Sequence, residues 1–244
     1  MDDLTKERLN RLNRQFYDQF ADQFAGARSL GQPSFNKILS LIPDGARVLD
    51  IGCGHGRIAQ LLEMHRTGVR YHGLDFSDRF VGLGNAHAAN FENIVAKFEA
   101  VDIMSSDWTR GLDAASYDIV LLLAVIHHIP GQSQRMMLVG QVASLLAASG
   151  LAIVSTWQFL TNERMRRKIV PWDTLNIKEE SLEPGDYLLD WKRGGVGYRY
   201  CHMVEPNQMQ LYAQNAGLEV KDTFLADGKE GDLSLFALMG FPPG

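Results

Sequence analysis

The stretch VLDIGCGHGR, residues 48–57, constrains the fold of this chain more than any other part of the sequence. An apolar, strand-like run is followed by three alternating glycines, Gly52, Gly54 and Gly56, and then by a run with helical spacing. Glycines at such a point let the backbone turn tightly and approach a ligand without intervening Cβ atoms. The pattern predicts a strand–loop–helix unit whose loop contacts a ligand.

Strand-like and helix-like segments alternate along residues 47–157. This rhythm is typical of right-handed βαβ units, whose helices cover a parallel sheet. We therefore predict an α/β fold of the Rossmann-like, doubly wound kind. Strands are predicted at residues 47–53, 70–76, 95–102, 117–126 and 150–157, and helices at residues 56–65, 78–90 and 132–149.

The alternation stops between residues 158 and 200 and resumes with a helix and a terminal hairpin. We interpret the interruption, which is rich in charge and tryptophan, as a cap inserted after the fifth strand. In open α/β sheets such an insertion lies over the ligand crevice. We expect one domain in four parts: N-terminal helices over the site at residues 1–43, a ligand-binding core at 44–157, the cap at 158–204, and the last helix with the hairpin at 205–244.

Charge and cysteine content narrow the class of protein. The net charge of −5 argues against a free-standing nucleic-acid binder, which usually has a basic excess. The two cysteines, Cys53 and Cys201, form neither a disulfide framework nor a zinc-ligand pattern. The first residues are too polar for a secretory signal, and no apolar run reaches the ~18 residues that suggest a membrane span. We expect a cytoplasmic protein with no membrane contact.

Three aspartates stand at the ends of successive predicted strands. Asp50 precedes the glycine loop, Asp75 ends the second strand and Asp102 ends the third. The first suits an ammonium group, the second can accept hydrogen bonds from both ribose hydroxyls, and the third can face an adenine amino group. Together they describe a nucleoside bearing an amino acid, as in S-adenosylmethionine. The alternative is that such aspartates only cap helices. Cys53, between the glycines, is interpreted as a space-filler rather than a nucleophile.

The segments VLDIGCGHGR, GLDFS, AVDIM and YDIVLLLAVIHHI resemble the successive motifs of class I S-adenosylmethionine-dependent methyltransferases. The resemblance covers residues 45–157 and implies a seven-stranded sheet whose last strand is antiparallel. It also implies which side chains and loop positions hold the cofactor. These are Tyr17, Asp50, Gly52, Cys53, Gly54, Gly56, Asp75, Phe76, Asp102, Ile103 and Ala124.

Two adjacent histidines, His127 and His128, end the strand YDIVLLLAVI just before Pro130. At the rim of the crevice, imidazole can orient a methyl acceptor, take a proton or pair with an anion. We expect at least one of them to line the acceptor site. The alternative is that one caps the next helix and the other packs in the core. No third ligand is evident in the sequence, so we predict no metal site.

A narrower resemblance extends over most of the chain. The segments FYDQFADQFAGARSLGQP, AVIHH, IVSTWQF, VPW and RYCHMVEPNQMQLYAQNAGL are similar to the tRNA wobble-uridine carboxylmethyltransferases, which esterify the carboxylate of 5-carboxymethyluridine. The segment LEPGDYLLDWKRGG departs from the eukaryotic members and indicates a divergent, bacterial-type branch. Because the eukaryotic relatives work with a small zinc-ribbon activator, the resemblance implies tRNA and such an activator as partners.

A carboxylate acceptor needs alignment and an anion clamp rather than a strong base, because it is already ionised at neutral pH. Planar arginine is suited to that clamp. Arg28, which matches the family's N-terminal arginine, and Arg199 are the candidates, with surface salt bridges as the alternative. Three further residues, Tyr200, His202 and Trp157, are expected to add a hydrogen bond, a second cation and a stacking face; for Trp157 core packing is the alternative.

Positive charge is concentrated in the predicted cap and on the N-terminal helix. If these side chains share a face, they can contact RNA phosphates; the alternative is solvated faces balanced by nearby acids. The residues are Arg164, Arg166, Arg167, Lys168, Lys192 and Arg193 in the cap and Lys6, Arg8, Arg11 and Arg14 on the helix.

Three hypotheses for function follow from these observations. The leading one is methyl transfer to the carboxylate of a modified wobble uridine in tRNA. The acidic composition favours a second, an O- or N-methyltransferase acting on a small anionic metabolite. A third is a non-catalytic cofactor-binding module that serves as a scaffold, because binding motifs alone do not establish turnover.

Overall fold

The computed structural model describes residues 1–21, 23 and 30–243. The helices in these residues are α1 (Asp3–Gln19), α2 (Pro33–Ser40), α3 (Arg57–His65), α4 (Asp78–Ala88), α5 (Gln132–Leu145), α6 (Glu163–Arg166) and α7 (Pro206–Asn215). The strands are β1 (Arg47–Ile51), β2 (Arg70–Asp75), β3 (Val95–Ala100), β4 (Tyr117–Leu123), β5 (Leu146–Trp157), β6 (Ile169–Val170), β7 (Asp186–Trp191), β8 (Gly197–His202), β9 (Glu219–Ala226) and β10 (Ser234–Gly240). Single 3₁₀ turns cover Ile126–His128, Trp172–Leu175 and Glu179–Ser181.

Local sequence signals explain where several helices begin. The Asp2 carboxylate accepts a hydrogen bond from the Thr5 backbone N–H at 2.7 Å and caps α1. Prolines open α2 and α7, where the missing N–H has no intrahelical partner to lose. Gly56 precedes α3 with φ +80°, a left-handed conformation that disfavours side chains.

The structure corrects the predicted end of β4 and the predicted junction of α5 with β5 by three residues or more. Strand β4 ends at Leu123 rather than at residue 126, because the chain turns into the 3₁₀ turn that holds both histidines. Helix α5 ends at Leu145 rather than at residue 149, and β5 begins at the next residue. The reason is pairing with the start of β4: the backbone N–H of Ser116 donates to the Leu145 carbonyl at 3.0 Å, and Tyr117 pairs with Leu146. The residues predicted as the last helical turn are therefore part of a bulged strand.

The main sheet has seven strands in the order β3-β2-β1-β4-β5-β10-β9. Strand β10 runs antiparallel to both of its neighbours, and β1 to β5 run parallel to one another. The predicted doubly wound sheet with an antiparallel last strand is confirmed. Because the chain leaves β1 toward β2 and later returns to β4 on its other side, a crevice opens at the carboxyl ends of these two strands.

Alternating side chains of the central strands feed two hydrophobic cores, one on each face of the sheet. Leu49 and Val120 pack in the core formed with α5 and α7. Val48 and Leu121 pack on the opposite face, against α2, α3 and α4. Strands buried on both faces read as continuous apolar runs, which is how β1 and β4 appear in the sequence.

Residues between β5 and α7 form a second, three-stranded antiparallel sheet in the order β6-β7-β8, with α6 leading into it. This part of the structure is called the cap below. The N-terminal helix α1 lies against its strand β8. No helix within residues 1–21, 23 and 30–243 is long and apolar enough to cross a lipid bilayer.

A fully buried arginine joins the core to the cap. Arg135 of α5 donates from Nη2 to the Glu183 carboxylate of the cap at 2.7 Å and from Nε to the Tyr212 hydroxyl of α7 at 3.0 Å. Its Nη1 donates to the Ile129 carbonyl at 2.8 Å. These contacts satisfy a charge that would otherwise be costly to bury.

Replacing Arg135 by leucine is expected to lower the free energy of unfolding by about 3 kcal/mol, because it leaves Glu183 and a buried carbonyl without their donor. Urea denaturation measures the change. The exposed Arg110 makes no ion pair among the described residues, so Arg110→Leu is the matched control and should change stability little. An Arg135→Leu variant as stable as the control would contradict this account.

Candidate active site

A cavity of about 390 Å³ lies at the carboxyl ends of the parallel strands, between the sheet, α1 and the cap. Its wall includes the glycine loop, the ends of β2 and β3, the turn after β4 and several cap side chains. The predicted site residues in this wall are Tyr17, Asp50, Gly52, Cys53, Gly54, Asp75, Phe76, Asp102, Ile103, Ala124, His128, Trp157 and Arg199.

The glycine loop is held against β2 by three backbone donors. The N–H groups of Gly52 and Cys53 donate to the Leu74 carbonyl at 2.7 and 3.0 Å, and the Gly54 N–H donates to Asp75 Oδ2 at 2.8 Å. A Cβ on Gly52 would lie 2.3 Å from Val125 Cγ2, and the residue has φ +76°. A side chain is therefore excluded from this turn by both space and backbone conformation.

The other two glycines of the loop have different surroundings. Gly54 lines the cavity, and a Cβ built on it would meet no atom within 4 Å, so a side chain there would project into the ligand space. Gly56 lies outside the cavity wall; a Cβ on it would lie 2.4 Å from Phe98 Cζ. We infer that Gly54 leaves room for a ligand and that Gly56 shapes the loop from behind.

Two buried carboxylates flank the loop. Asp50 accepts a hydrogen bond from the Tyr71 hydroxyl at 2.6 Å, and burial raises its pKa to about 7, with the Asp75 charge adding to the effect. Asp75 accepts hydrogen bonds from the N–H groups of Ser77 and Gly54, and burial raises its pKa to about 6. Both acids are destabilised as anions until a cation or hydroxyl donors arrive.

Asp102 is more exposed than these two acids and is paired with α1. Its Oδ1 accepts a hydrogen bond from the Met104 N–H at 3.0 Å, and its Oδ2 forms an ion pair with Arg14. The Arg14 guanidinium also lies 5.6 Å from the centre of the Phe76 ring. Arg14, for which phosphate contact and balance by a nearby acid were both open, lines the cavity and is paired with Asp102.

This part of the wall fits S-adenosylmethionine. The space in front of Gly54 would be filled by any side chain. The hydrogen bonds of Asp50 and Asp75 do not offset their burial, since both pKa values stay raised, so a cation or further hydroxyl donors would stabilise both anions. Asp50 would hold the ammonium group, Asp75 the ribose hydroxyls, and Phe76 and Ile103 the apolar ring. We infer that the glycine loop and these four residues form the cofactor half of the cavity.

The two histidines after β4 have different environments. His128 lines the cavity; its Nδ1 donates to the Tyr200 carbonyl at 2.9 Å, and its Nε2 lies 2.7 Å from the Tyr17 hydroxyl. His127 is fully buried, its ring centre 4.5 Å from that of Trp157, and it lies outside the cavity wall. The two rings remain neighbours, with their centres 4.2 Å apart, but within the 3₁₀ turn only His128 reaches the cavity wall.

Asn13 is a structural residue of this site that the sequence reasoning missed. Its Nδ2 donates to the carbonyls of His128 and Tyr200 at 3.1 and 3.2 Å, and its Oδ1 accepts from the Tyr200 N–H at 2.8 Å. It therefore ties α1 to the histidine turn and to β8. The available sequence signal was a polar residue at helical spacing from Leu9 and Phe16, on the apolar face of the helix.

Arg199 of β8 is almost fully buried and lines the cavity. Its guanidinium carbon lies 4.7 Å from the centre of the Phe16 ring, 4.9 Å from that of Trp157 and 5.5 Å from that of Trp191. Aromatic faces attract a guanidinium and restrict its orientation. Trp157, for which stacking and core packing were both open, contacts Arg199 and lines the cavity.

Tyr200 and His202 lie inside the cap, away from the cavity wall where we expected them. The Tyr200 hydroxyl and His202 Nδ1 donate to Asp186 Oδ1 at 2.8 and 2.7 Å. The physical reason is the two-residue period of a strand: Arg199 faces the cavity, so Tyr200 and His202 face the opposite side of β8. Arg28 lies outside the described residues.

Charge is divided between the two sides of the cavity. Its carboxylates belong to the carboxyl ends of sheet strands, where Arg14 and Arg57 also line it, and the charged side chains of its cap side are all cations. Burial and the neighbouring Arg199 and Arg164 lower the pKa of Lys168, and Asp190 partly offsets them. The carboxylates are Asp50, Asp75, Asp102 and Asp227, and the cap cations are Arg164, Lys168, Arg193 and Arg199.

The structure brings a third metal-type ligand to the histidines, which the sequence spacing did not reveal. Ligand atoms of His127, His128 and Cys201 lie within 4.8 Å of one another. However, both ring nitrogens of His128 are engaged with Tyr200 and Tyr17, and burial raises the pKa of the Cys201 thiol to about 12. A metal would have to displace these hydrogen bonds and the thiol proton.

Comparisons with known proteins identify the family. A family model described as "Methyltransferase domain" matches residues 15–223, and the chain belongs to this family. The family model and the fold show that this protein is an S-adenosylmethionine-dependent methyltransferase. The predicted class and cofactor are confirmed.

Two curated relatives differ in what their names say they methylate. A tRNA (carboxymethyluridine(34)-5-O)-methyltransferase of Schizosaccharomyces pombe is 27% identical over 85% of this chain and 89% of its own length. A ubiquinone biosynthesis O-methyltransferase of Cupriavidus pinatubonensis is 25% identical over 72% of this chain. The match spans 61% of the length of that second relative.

Two solved structures share the fold. A methyltransferase of Methanosarcina mazei has a TM-score of 0.65 and 16% identity, with 85% of this chain and 98% of that chain covered. A methyltransferase of Haloferax volcanii in complex with the Trm112 activator has a TM-score of 0.62 and 15% identity, with coverages of 95% and 98%.

Affinity for S-adenosylmethionine is expected to rise about tenfold between roughly pH 5.5 and 8, because Asp75 and Asp50 lose their protons with pKa values of about 6 and 7. Isothermal titration calorimetry measures this. Asp75→Asn should weaken binding and remove the lower transition; affinity independent of pH would contradict the assignment.

The same raised pKa values predict how stability depends on pH without cofactor. Above pH 3.8 the folded state keeps protons on Asp50 and Asp75 that the unfolded state has lost, so the free energy of unfolding should fall as pH rises toward 7.

Replacing Asn13 by leucine is expected to lower the free energy of unfolding by about 2 kcal/mol, because it removes the partners of buried Tyr200 backbone groups. Methyl transfer should fall more than cofactor affinity, since the histidine turn and β8 lose their common anchor. Asn215→Leu, at an exposed helix end, is the control. Equal effects of the two variants on stability and transfer would show that Asn13 has no such role.

Proposed function

We propose that this protein transfers a methyl group from S-adenosylmethionine to the carboxylate of a modified wobble uridine in tRNA. The observation that carries the proposal is the distribution of charge across the cavity: all its carboxylates, together with Arg14 and Arg57, lie on the cofactor side, and the charged side chains on the cap side are all cations. An anionic acceptor that enters under the cap would be held against the cofactor side by this field.

The contacts of Arg199 suit a carboxylate clamp. Packed against Phe16, Trp157 and Trp191, its planar guanidinium is held in orientation before the acceptor arrives. A positioned guanidinium can bind the two oxygens of a carboxylate through two parallel hydrogen bonds in the same plane. The same aromatic rings offer stacking surfaces for a pyrimidine. Positioning of the acceptor oxygen therefore rests on residues of α1, β5 and the cap.

The chemistry of a carboxylate acceptor also matches the state of His128. Its two ring nitrogens form hydrogen bonds with the Tyr200 carbonyl and the Tyr17 hydroxyl, so His128 positions Tyr17 in the cavity wall. A carboxylate needs no base to become nucleophilic at neutral pH. Bound S-adenosylmethionine supplies an electrophilic methyl group on a sulfonium. The chain's own residues then need only to align the acceptor and exclude water.

The Schizosaccharomyces pombe relative supports this acceptor, because its name specifies the carboxymethyluridine reaction and the similarity extends over most of both chains. We place a small activator protein beside the chain as part of the proposal. The Haloferax volcanii neighbour, which was solved with Trm112, supports it. We also place the reaction in the cytoplasm, since Cys53 and Cys201 are both free thiols.

A small anionic metabolite is the second candidate acceptor. The name of the Cupriavidus pinatubonensis relative specifies ubiquinone biosynthesis, and the net charge of −5 disfavours unaided binding to RNA. The cap cations would serve such a molecule through the same clamp. The two candidates differ in the size of the acceptor.

The test uses purified protein, methyl-labelled S-adenosylmethionine and tRNA from cells that lack this activity, followed by mild alkali. The proposal predicts label on tRNA that alkali releases, as a methyl ester requires. Alkali-stable label would move the acceptor to a base or ribose and overturn the carboxylate proposal. Absence of transfer with and without an added Trm112-type activator, together with transfer to small anions, would favour the second candidate.

Substitution of Arg199 tests the clamp. Arg199→Lys keeps the charge but loses the planar fork, and is expected to raise KM for the acceptor about tenfold; Arg199→Gln should raise it about a hundredfold. Affinity for S-adenosylmethionine, measured by calorimetry, should remain within about twofold of the wild type. Loss of both affinities together with a lower melting temperature would assign the residue to folding instead.

A further inference from the structure

We propose that Arg164, Lys168 and Arg193 form a second anion subsite in the cap, which binds a phosphate adjoining the modified nucleoside. The acceptor would then be recognised as a nucleotide within a strand and discriminated from the free nucleoside. This inference rests on the proposed function and names the form in which its acceptor is bound.

The three cations reach the cavity from three segments of the cap. Arg164 lies in α6, Lys168 just before β6, and Arg193 in the turn between β7 and β8. The hairpin fixes Lys168, because the Asp190 N–H donates to the Lys168 carbonyl at 2.8 Å. Their convergence therefore depends on the cap fold, not on proximity in sequence.

Two cations of the same cap segments have acidic partners. Lys192 pairs with Asp190 at 2.7 Å, and Arg167 pairs with Glu163. Arg164, Lys168 and Arg193 form no ion pair with a carboxylate in the described part of the chain. What distinguishes these three from the equally unpaired Arg166 is that they line the cavity, where an external anion can reach all of them.

Mutual repulsion gives these side chains an affinity for such an anion. Lys168 is half-buried, and both burial and the neighbouring guanidinium groups of Arg199 and Arg164 lower its pKa. A bound anion would stabilise the charged ammonium and relieve the repulsion. Phosphodiester oxygens accept several charge-assisted hydrogen bonds at once, which matches donors that arrive from different directions.

An aromatic ring beside both groups of cations favours a nucleotide over a simple dianion. The Trp191 ring centre lies 5.5 Å from the Lys168 ammonium nitrogen and 5.5 Å from the Arg199 guanidinium carbon. Stacking surfaces interleaved with cations are the usual means of binding single-stranded nucleic acid. Arg199 would then hold the carboxylate on the base, and the outer three cations the backbone.

Binding of simple probes tests the subsite independently of methyl transfer. Uridine, uridine 5′-monophosphate and uridine 3′-monophosphate are titrated into the protein saturated with S-adenosylhomocysteine, with calorimetric detection. At least one monophosphate should bind about tenfold or more tightly than uridine, as one charge-assisted contact provides. Equal affinities for all three probes would overturn the inference.

Variants identify the residues responsible. Lys168→Gln and Arg193→Gln should each remove most of the monophosphate preference while leaving S-adenosylhomocysteine affinity and melting temperature unchanged. Arg166→Gln is the matched control, because Arg166 shares α6 with Arg164 but is exposed outside the cavity wall. If Arg166→Gln reduced the preference for the monophosphate over uridine as much as the other two variants, the preference would come from the overall positive charge of the cap, which would contradict the subsite.

A transfer experiment separates this inference from the proposed function. 5-Carboxymethyluridine is offered as the free nucleoside and as the central residue of a trinucleotide. A methyl ester formed at least about tenfold faster on the trinucleotide at limiting concentration supports the subsite. Ester formed equally well on both would overturn the subsite and leave the carboxylate reaction standing. No ester on either, with the monophosphate preference intact, would overturn the proposed acceptor and leave the subsite standing.

Discussion

Everything in this structure that concerns the ligand depends on one constraint, the shared carboxyl edge of the parallel strands. At that edge the glycine loop is pinned to β2 by the donors of Gly52 and Cys53 on the Leu74 carbonyl. The pinned loop leaves Asp50 and Asp75 buried beside open space, with their pKa values raised. The energy lost by burying these acids is recovered when a ligand supplies donors and positive charge. We infer that these two destabilised carboxylates make this part of the cavity a site for a ligand that carries a cation and hydroxyl groups.

The acceptor side of the cavity depends on a different set of contacts, which join parts of the chain that are distant in sequence. Asn13 links α1 to the histidine turn and β8, and Arg135 links α5 to the cap. Both are buried polar side chains. Such a side chain lowers stability when some of its hydrogen bonds are missing, and it favours a single arrangement of its neighbours when all of them are made. We infer that they set the position of the cap relative to the sheet, and with it the position of Arg199.

Local patterns were sufficient for the core but not for the cap. Gly52, Asp75 and Asp102 depend on the local turn in which each lies, so the sheet and the residues lining the inner part of the cavity could be predicted. Which face of β8 meets the cavity depends on pairing with β7 and packing on α1, and a shift of one residue exchanges Arg199 for Tyr200. Asn13 bonds to residues more than 100 positions away, and no local pattern contains that information.

The central claim is that the cationic side chains of the cap bind the acceptor through the negative charge of the acceptor's carboxylate. The most direct measurement compares the affinities of two anticodon stem-loops that differ only in one group at the wobble uridine, a carboxymethyl side chain or its neutral carboxamide. The account predicts that the carboxylate binds at least about tenfold more tightly, and that raising the salt concentration narrows the difference. Equal affinities for the carboxylate and the amide, at low salt and with the cofactor site filled, would contradict it.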